Sequence, residues 1–259
     1  MSAAKSSGRS WSRAVPVLGV LATSSVSMAG AMGGNRSAGA VSLLAAARPS
    51  GSANARGHSS AATAGPVLYA LGDSTGTGVG ARGGSYVERV RERLEASGKG
   101  FRLQNLAQSG ATVADVLRDQ LGRIPTGASG LVLVGAGTND LIGGVDPEAF
   151  GQRFEALLAG LRARTASPIV VSNVPDVSLA PAAAWVPSRA ALASRIDAFN
   201  RAIAGVARRH DAVVFDLCSF TRRELPRHPE YVSADGFHPS DRGYQAWTDE
   251  VWRVIERTL

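Results

Sequence analysis

The chain has 259 residues, 44% of them hydrophobic, which is enough apolar side chain for a substantial core, and a net charge of +7. Six of the 28 Lys/Arg and none of the 21 Asp/Glu fall in residues 1–65, leaving 22 basic against 21 acidic residues in 66–259. A near-neutral body removes the main electrostatic reason to propose nucleic-acid binding, which requires a clustered basic face, and a single cysteine, Cys218, excludes an intrachain disulfide and a metal-type Cys/His cluster.

Residues 1–65 are dominated by Ala, Ser and Gly and hold no sustained helical or alternating period, so they read as a disordered leader. Lys5, Arg9 and Arg13 precede an apolar stretch from Ala14 to Ala22, and Ala29-Gly30-Ala31 offers a small-x-small cleavage site, as in a secretory signal. Pro16 interrupts that stretch, so export to the envelope or beyond stands beside a cytoplasmic tail or a start assigned too far upstream. No run reaches the roughly 18 apolar residues of a membrane span.

From Pro66 the texture becomes βα alternation, which assigns 66–259 to one domain. Short apolar runs at 67–71, 101–106, 130–135, 168–173 and 212–217, each followed by Gly, Ser, Asn or Asp, predict buried parallel strands. Cys218 then reads as a small buried residue at the end of the fifth. Between the runs, Phe150, Phe154, Leu157, Leu158 and Leu161 recur at helical spacing, as do Leu192, Ile196, Phe199, Ile203 and Val206. Further helices are predicted over 85–96, 113–121 and 241–257, the last capped by Ser240. The pattern predicts an α/β protein of three layers, α/β/α, with sites at the carboxyl ends of the strands.

The first strand runs into Gly72-Asp73-Ser74-Thr75-Gly76, a turn from which a serine hydroxyl can project into a cleft. Near the other end, Asp235 precedes His238 by three residues in a turn before the last helix. A carboxylate there can hold the imidazole Nδ1 proton, aiming Nε2 at a serine as general base. After the second and third strands, Gly110 can offer a backbone N–H and Asn139 a side-chain amide, the donors needed by the oxygen that turns negative in acyl transfer. Asp73 and Asp140 read as carboxylates that bind nearby backbone, and His210 as a structural residue at a helix end. His58 and His228 have no visible partner. The apolar, proline-bounded loop 179–187 could line an acyl pocket with Trp185, or simply pack.

Together these segments resemble the SGNH/GDSL hydrolases, in which Ser, Gly, Asn and His come from four blocks in this order, here Ser74, Gly110, Asn139 and His238. Gly72-Asp73-Ser74, Gly137-x-Asn139-Asp140 and Asp235-x-x-His238-Pro239 carry the match. The chain departs from the family at Thr75-Gly76-Thr77, where Leu-Thr often follows the serine. The resemblance implies a flavodoxin-like SGNH fold with a five-stranded parallel sheet and no metal or organic cofactor. It also implies a serine ester hydrolase, with Ser74 as nucleophile, His238 as base, Asp235 as its orienter, and Ser74, Gly110 and Asn139 as the oxyanion hole. Short or medium acyl esters, lysophospholipids and acetylated sugars are all compatible substrates. An acyltransferase or thioesterase would use the same residues, and a glycan- or lipid-binding module without turnover is the alternative of another class. A nucleotide site is disfavoured, because no dinucleotide fingerprint or Walker-type lysine is present.

Overall fold

The structure, a computed structural model, describes residues 65–259; the leader, with its expected cleavage site and His58, lies outside the described residues. Strands β1 (Val67–Gly72), β2 (Arg102–Asn105), β3 (Gly130–Gly135), β4 (Ile169–Ser172) and β5 (Val213–Phe215) form one sheet in the order β2-β1-β3-β4-β5, with every pair parallel. This is the flavodoxin-like order that the family resemblance implies, and its switch point lies at β1 and β3.

The period-two pattern divides each central strand between two buried faces. Val67, Tyr69, Leu71, Val132, Val134, Ile169 and Val171 belong to one core cluster, whereas Leu68, Ala70, Leu131, Leu133 and Val170 belong to the other. On the first face pack α5 (Pro147–Arg162) and α6 (Arg189–Arg209), where the rings of Phe150 and Phe199 stack with centroids 4.3 Å apart. Asp146 starts α5 by accepting from the Glu148 and Ala149 N–H groups, with Pro147 preset at the first helical position. On the second face pack α2 (Tyr86–Ala96), begun by a Ser85–Glu88 capping box, and α8 (Asp241–Thr258), capped by Ser240 as expected. Three layers result. No helix among the described residues is long and apolar enough to cross a membrane.

Three expectations change. The edge strands β2 and β5 are not buried throughout, since each has a neighbour on one side only: β2 has no buried residue and β5 only Phe215. Cys218 does not end a strand; β5 stops at Phe215, and Asp216 accepts from the Ser219 N–H and hydroxyl to start α7 (Leu217–Glu224), with Cys218 in its first turn. The cysteine is buried, and burial pushes its thiol up to about 11. The helix expected over 113–121 begins as α3 (Val113–Asp115), on a Thr112–Asp115 capping box, but widens into a π turn over Val116–Gln120 and tightens into a 3₁₀ turn over Leu121–Arg123. Within it the Leu121 N–H reaches back five residues to the Val116 carbonyl.

Candidate active site

The nucleophile turn is built by a close approach of two strands. Gly72 has φ 148°, and a Cβ there would lie 2.1 Å from the Gly135 carbonyl oxygen, so only glycine lets β1 stay paired with β3 to its last residue. The Asp73 N–H makes the final bond to Gly135 O, at 3.2 Å. The Asp73 carboxylate then accepts from Thr75 N and Oγ1, at 3.0 and 2.9 Å, capping the short helix α1 (Ser74–Thr77). Asp73 therefore serves local backbone, as expected, and burial pushes its carboxyl upward against the pull of those bonds. Ser74 is left at the first position of α1, buried, with its N–H unbonded among the described residues.

The base arrives on a short loop closed by a bridge between Val232 and Pro239. Within it, Asp235 Oδ1 accepts from Ser233 Oγ, Phe237 N and His238 N at 2.8, 2.8 and 2.9 Å. Asp235 Oδ2 lies 2.6 Å from His238 Nδ1, and His238 Nε2 lies 3.0 Å from Ser74 Oγ. Burial would raise the Asp235 pKa, but the Phe237, His238 and Ser233 bonds outweigh it and hold the carboxyl below the ordinary carboxylate value. With Asp235 ionised, Nδ1 keeps its proton and the Nε2 lone pair faces the serine hydroxyl. Gly80 permits this docking: at φ 95°, a Cβ there would meet Pro239 O at 2.6 Å and His238 Cβ at 2.8 Å.

The two remaining predicted donors sit at neighbouring strand ends. Asn139, in α4 (Thr138–Ile142), donates one amide N–H to Ala111 O at 3.0 Å, leaving the other for a ligand. Gly110, one residue before Ala111, has φ 81° and an N–H without a partner among the described residues. It is absent from the lining of the cleft that holds Ser74, Asn139 and His238. Asp140 does bind backbone, but across the fold: Oδ2 accepts from the Val113 N–H at 2.9 Å, while Oδ1 is buried without a hydrogen bond. Burial raises its pKa, against the pull of that bond.

The cleft holds about 610 Å³ of empty space, including its open mouth, and its apolar walls come from Pro175, Val177, Ala180, Leu225, Phe237 and Trp247. Loop 179–187 contributes Ala180; the side chain of Trp185 lies outside the described residues. Leu225 and Trp247 were not legible as site residues, since one follows an unpredicted helix and the other belongs to the apolar face of α8. His210 caps the end of α6 and pairs with Glu155, in keeping with a structural role. His228 does have partners, Glu230 at 3.1 Å and a stacked Tyr231 ring. Among the described residues no group of three or more His, Cys, Asp or Glu side chains is placed to hold a metal ion.

A parallel sheet with a serine, an imidazole and a carboxylate in line at its switch point defines a class, the α/β hydrolytic enzymes. The sequence model of the GDSL-like Lipase/Acylhydrolase family matches residues 70–246. The chain belongs to that family and is a carboxylic ester hydrolase. Similar solved structures include LAE5, an alpha/beta hydrolase enzyme from the metagenome of Lake Arreo, at 24% identity and a TM-score of 0.59, covering 74% of this chain and 95% of that one. The lipase Lip_vut3 from a goat rumen metagenome is 21% identical, with a TM-score of 0.59 and coverage of 73% and 96%. Axe2, an acetylxylan esterase from Geobacillus stearothermophilus, is 20% identical, with a TM-score of 0.58 and coverage of 74% and 94%. Two of its structures are of catalytic mutants, in which an aspartate and a histidine three positions further on are each replaced by alanine. None of the curated proteins compared with the chain matches it significantly.

Proposed function

We propose that the enzyme cleaves esters with an apolar acyl chain through an acyl-enzyme on Ser74. The observation that carries this reading is the in-line relay, 2.6 Å from Asp235 to His238 and 3.0 Å from His238 to Ser74. Ser74 Oγ attacks the ester carbonyl carbon as His238 Nε2 takes its proton. The carbonyl oxygen, now negative, receives the Ser74 N–H, the Gly110 N–H and the free Asn139 amide N–H. Collapse breaks the bond to the alcohol, which leaves with the proton from His238. Water then gives a proton to His238, attacks the acyl carbon, and releases the acid as the proton returns to Ser74. The three-residue spacing of the catalytic aspartate and histidine in the acetylxylan esterase supports the roles of Asp235 and His238.

The apolar lining favours a medium acyl chain over an acetylated sugar, since walls of Val177, Leu225 and Trp247 gain by removing methylenes from water, at about 0.8 kcal/mol each. The full chain, its Ser74→Ala variant and its His238→Ala variant are compared on p-nitrophenyl acetate, butyrate and octanoate. Each variant, folded by circular dichroism, is expected to lose on the order of 10⁶-fold in kcat. The wild type is expected to prefer octanoate in kcat/KM. Undiminished turnover by Ser74→Ala would sink the catalytic assignment, and a preference for acetate would move the substrate to small acyl groups.

A further inference from the structure

The three oxyanion donors come from three strand ends, and one buried side chain ties that arrangement to the nucleophile. Gln120 closes the π turn, is fully buried, and makes both of its amide hydrogen bonds with a single residue 48 positions away. Its Oε1 accepts from the Gly72 N–H at 2.8 Å, and its Nε2 donates to the Gly72 carbonyl at 2.9 Å. Only one orientation of the amide satisfies both bonds. β2 has already ended at Asn105, opposite Ala70; the Gln108 N–H still reaches the Gly72 carbonyl at 3.0 Å, so Gln120 Nε2 shares that oxygen, while Gln120 Oε1 alone supplies the acceptor that a continuing strand would have offered the Gly72 N–H. The next residues in the chain are Asp73 and Ser74.

The other end of the same segment is tied to the oxyanion side. The Val113 N–H is held by Asp140, next to Asn139, and the Asn139 amide itself is anchored on Ala111, next to Gly110. Residues 110–120 thus run as a brace from the Gly110 and Asn139 donors to the backbone that carries Ser74. The π turn serves the brace, because each residue of an α-helix advances about 100° around its axis, so the widened turn changes the direction in which Gln120 points.

We propose that Gln120 is a positioning residue, which sets the Ser74 hydroxyl and N–H against the other two oxyanion donors through its two bonds to Gly72. It touches no substrate. The proposal rests on the acyl-enzyme reading above, and misplacement of a reacting group by about an ångström is enough to cost about 10²-fold in rate.

The test uses the full chain and two readouts: steady-state turnover of p-nitrophenyl butyrate, and the affinity of an alkyl trifluoromethyl ketone, which adds to the serine as a tetrahedral oxyanion. Gln120→Met keeps the length of the side chain and removes both hydrogen bonds. It is expected to lower kcat by about 10- to 100-fold with little change in KM, and to weaken the ketone in parallel. Gln120→Glu recovers the donor and acceptor pair when its carboxyl is protonated, so its kcat relative to wild type should fall as pH rises. Ile255→Ala, a core truncation about 20 Å along α8 from its start, should lower Tm while leaving kcat and ketone affinity unchanged.

A Gln120→Met variant that loses Tm but keeps wild-type kcat and ketone affinity overturns the proposal. So does a Gln120→Glu variant that matches wild type at every pH, which decides the matter should the methionine variant not fold. If the wild type neither turns over ester nor binds the ketone, the acyl-enzyme reading fails and this proposal with it. A wild type that does both, beside an unaffected Gln120→Met, leaves that reading standing and removes only the role of Gln120.

Discussion

The two halves of the candidate site are held in different ways. The base half is local: Asp235 and His238 are three residues apart, and three donors within three residues of Asp235 fix its carboxylate. The proposed oxyanion half draws on three strand ends, and its cross-ties span 27 residues from Val113 to Asp140, 28 from Ala111 to Asn139 and 48 from Gly72 to Gln120. A loop that folds on itself keeps its geometry wherever it is carried, whereas donors on separate strands keep theirs only while the sheet and its braces hold. The chemistry of the base half is therefore sensitive to its own side chains, and that of the oxyanion half also to residues that never meet a ligand.

Substitutions on the two sides sharpen the contrast. Among substitutions that keep both Ser74 and His238, Asp235→Asn should have the largest effect, because an amide can donate to Nδ1 and so select the wrong tautomer. A loss of about 10⁴-fold in kcat is expected with the fold intact, read from initial rates on p-nitrophenyl butyrate. A loss below about tenfold would mean that the carboxylate does not orient the ring. On the oxyanion side, Asn139→Ala should cost about 10²–10³ in kcat with KM nearly unchanged, since the amide serves the transition state more than the bound ester. A rise in KM alone would turn Asn139 into a ground-state contact.

The smallest effect on turnover should come from Asp140→Asn, whose amide oxygen can still accept from the Val113 N–H. Its signature is in stability. Burial raises the folded pKa of Asp140 above its unfolded value, so the folded state holds its proton longer than the unfolded state does. Stability from the protonated form is complete below the unfolded pKa and is lost as pH rises through the folded one. The Tm of the wild type should thus fall relative to Asp140→Asn as pH climbs from the ordinary carboxylate value upward, and a parallel pair of Tm curves would show that Asp140 does not titrate with folding.

The same division decides what could be read from the sequence. All five strands and the four long helices α2, α5, α6 and α8 follow from periodicity and turn chemistry, and the Asp235–His238 pair from a three-residue spacing, all of them short-range properties. That the pair meets Ser74, 164 residues away, follows only from the family resemblance. Gln120 reads as one more polar residue on a helix, and nothing near it announces that it is buried or that its partner is Gly72. Asp140 reads as a binder of nearby backbone, and nothing around it announces that its target is Val113, 27 residues away. α7 was missed because an apolar run leading into Cys218 reads as strand, until the Asp216 side chain captures the Ser219 N–H and turns the chain. The far wall of the cleft, with Leu225, depends on that turn.

The π turn makes the spacing between Val116 and Gln120 a matter of phase as well as order. A chain shorter by one residue there could wind as uninterrupted α-helix, and the amide that now meets Gly72 would be carried about 100° around the axis. Conservative replacement along this stretch and loss of a single residue from it are therefore unequal events: the first alters a contact, the second takes the serine's support out of register with the sheet.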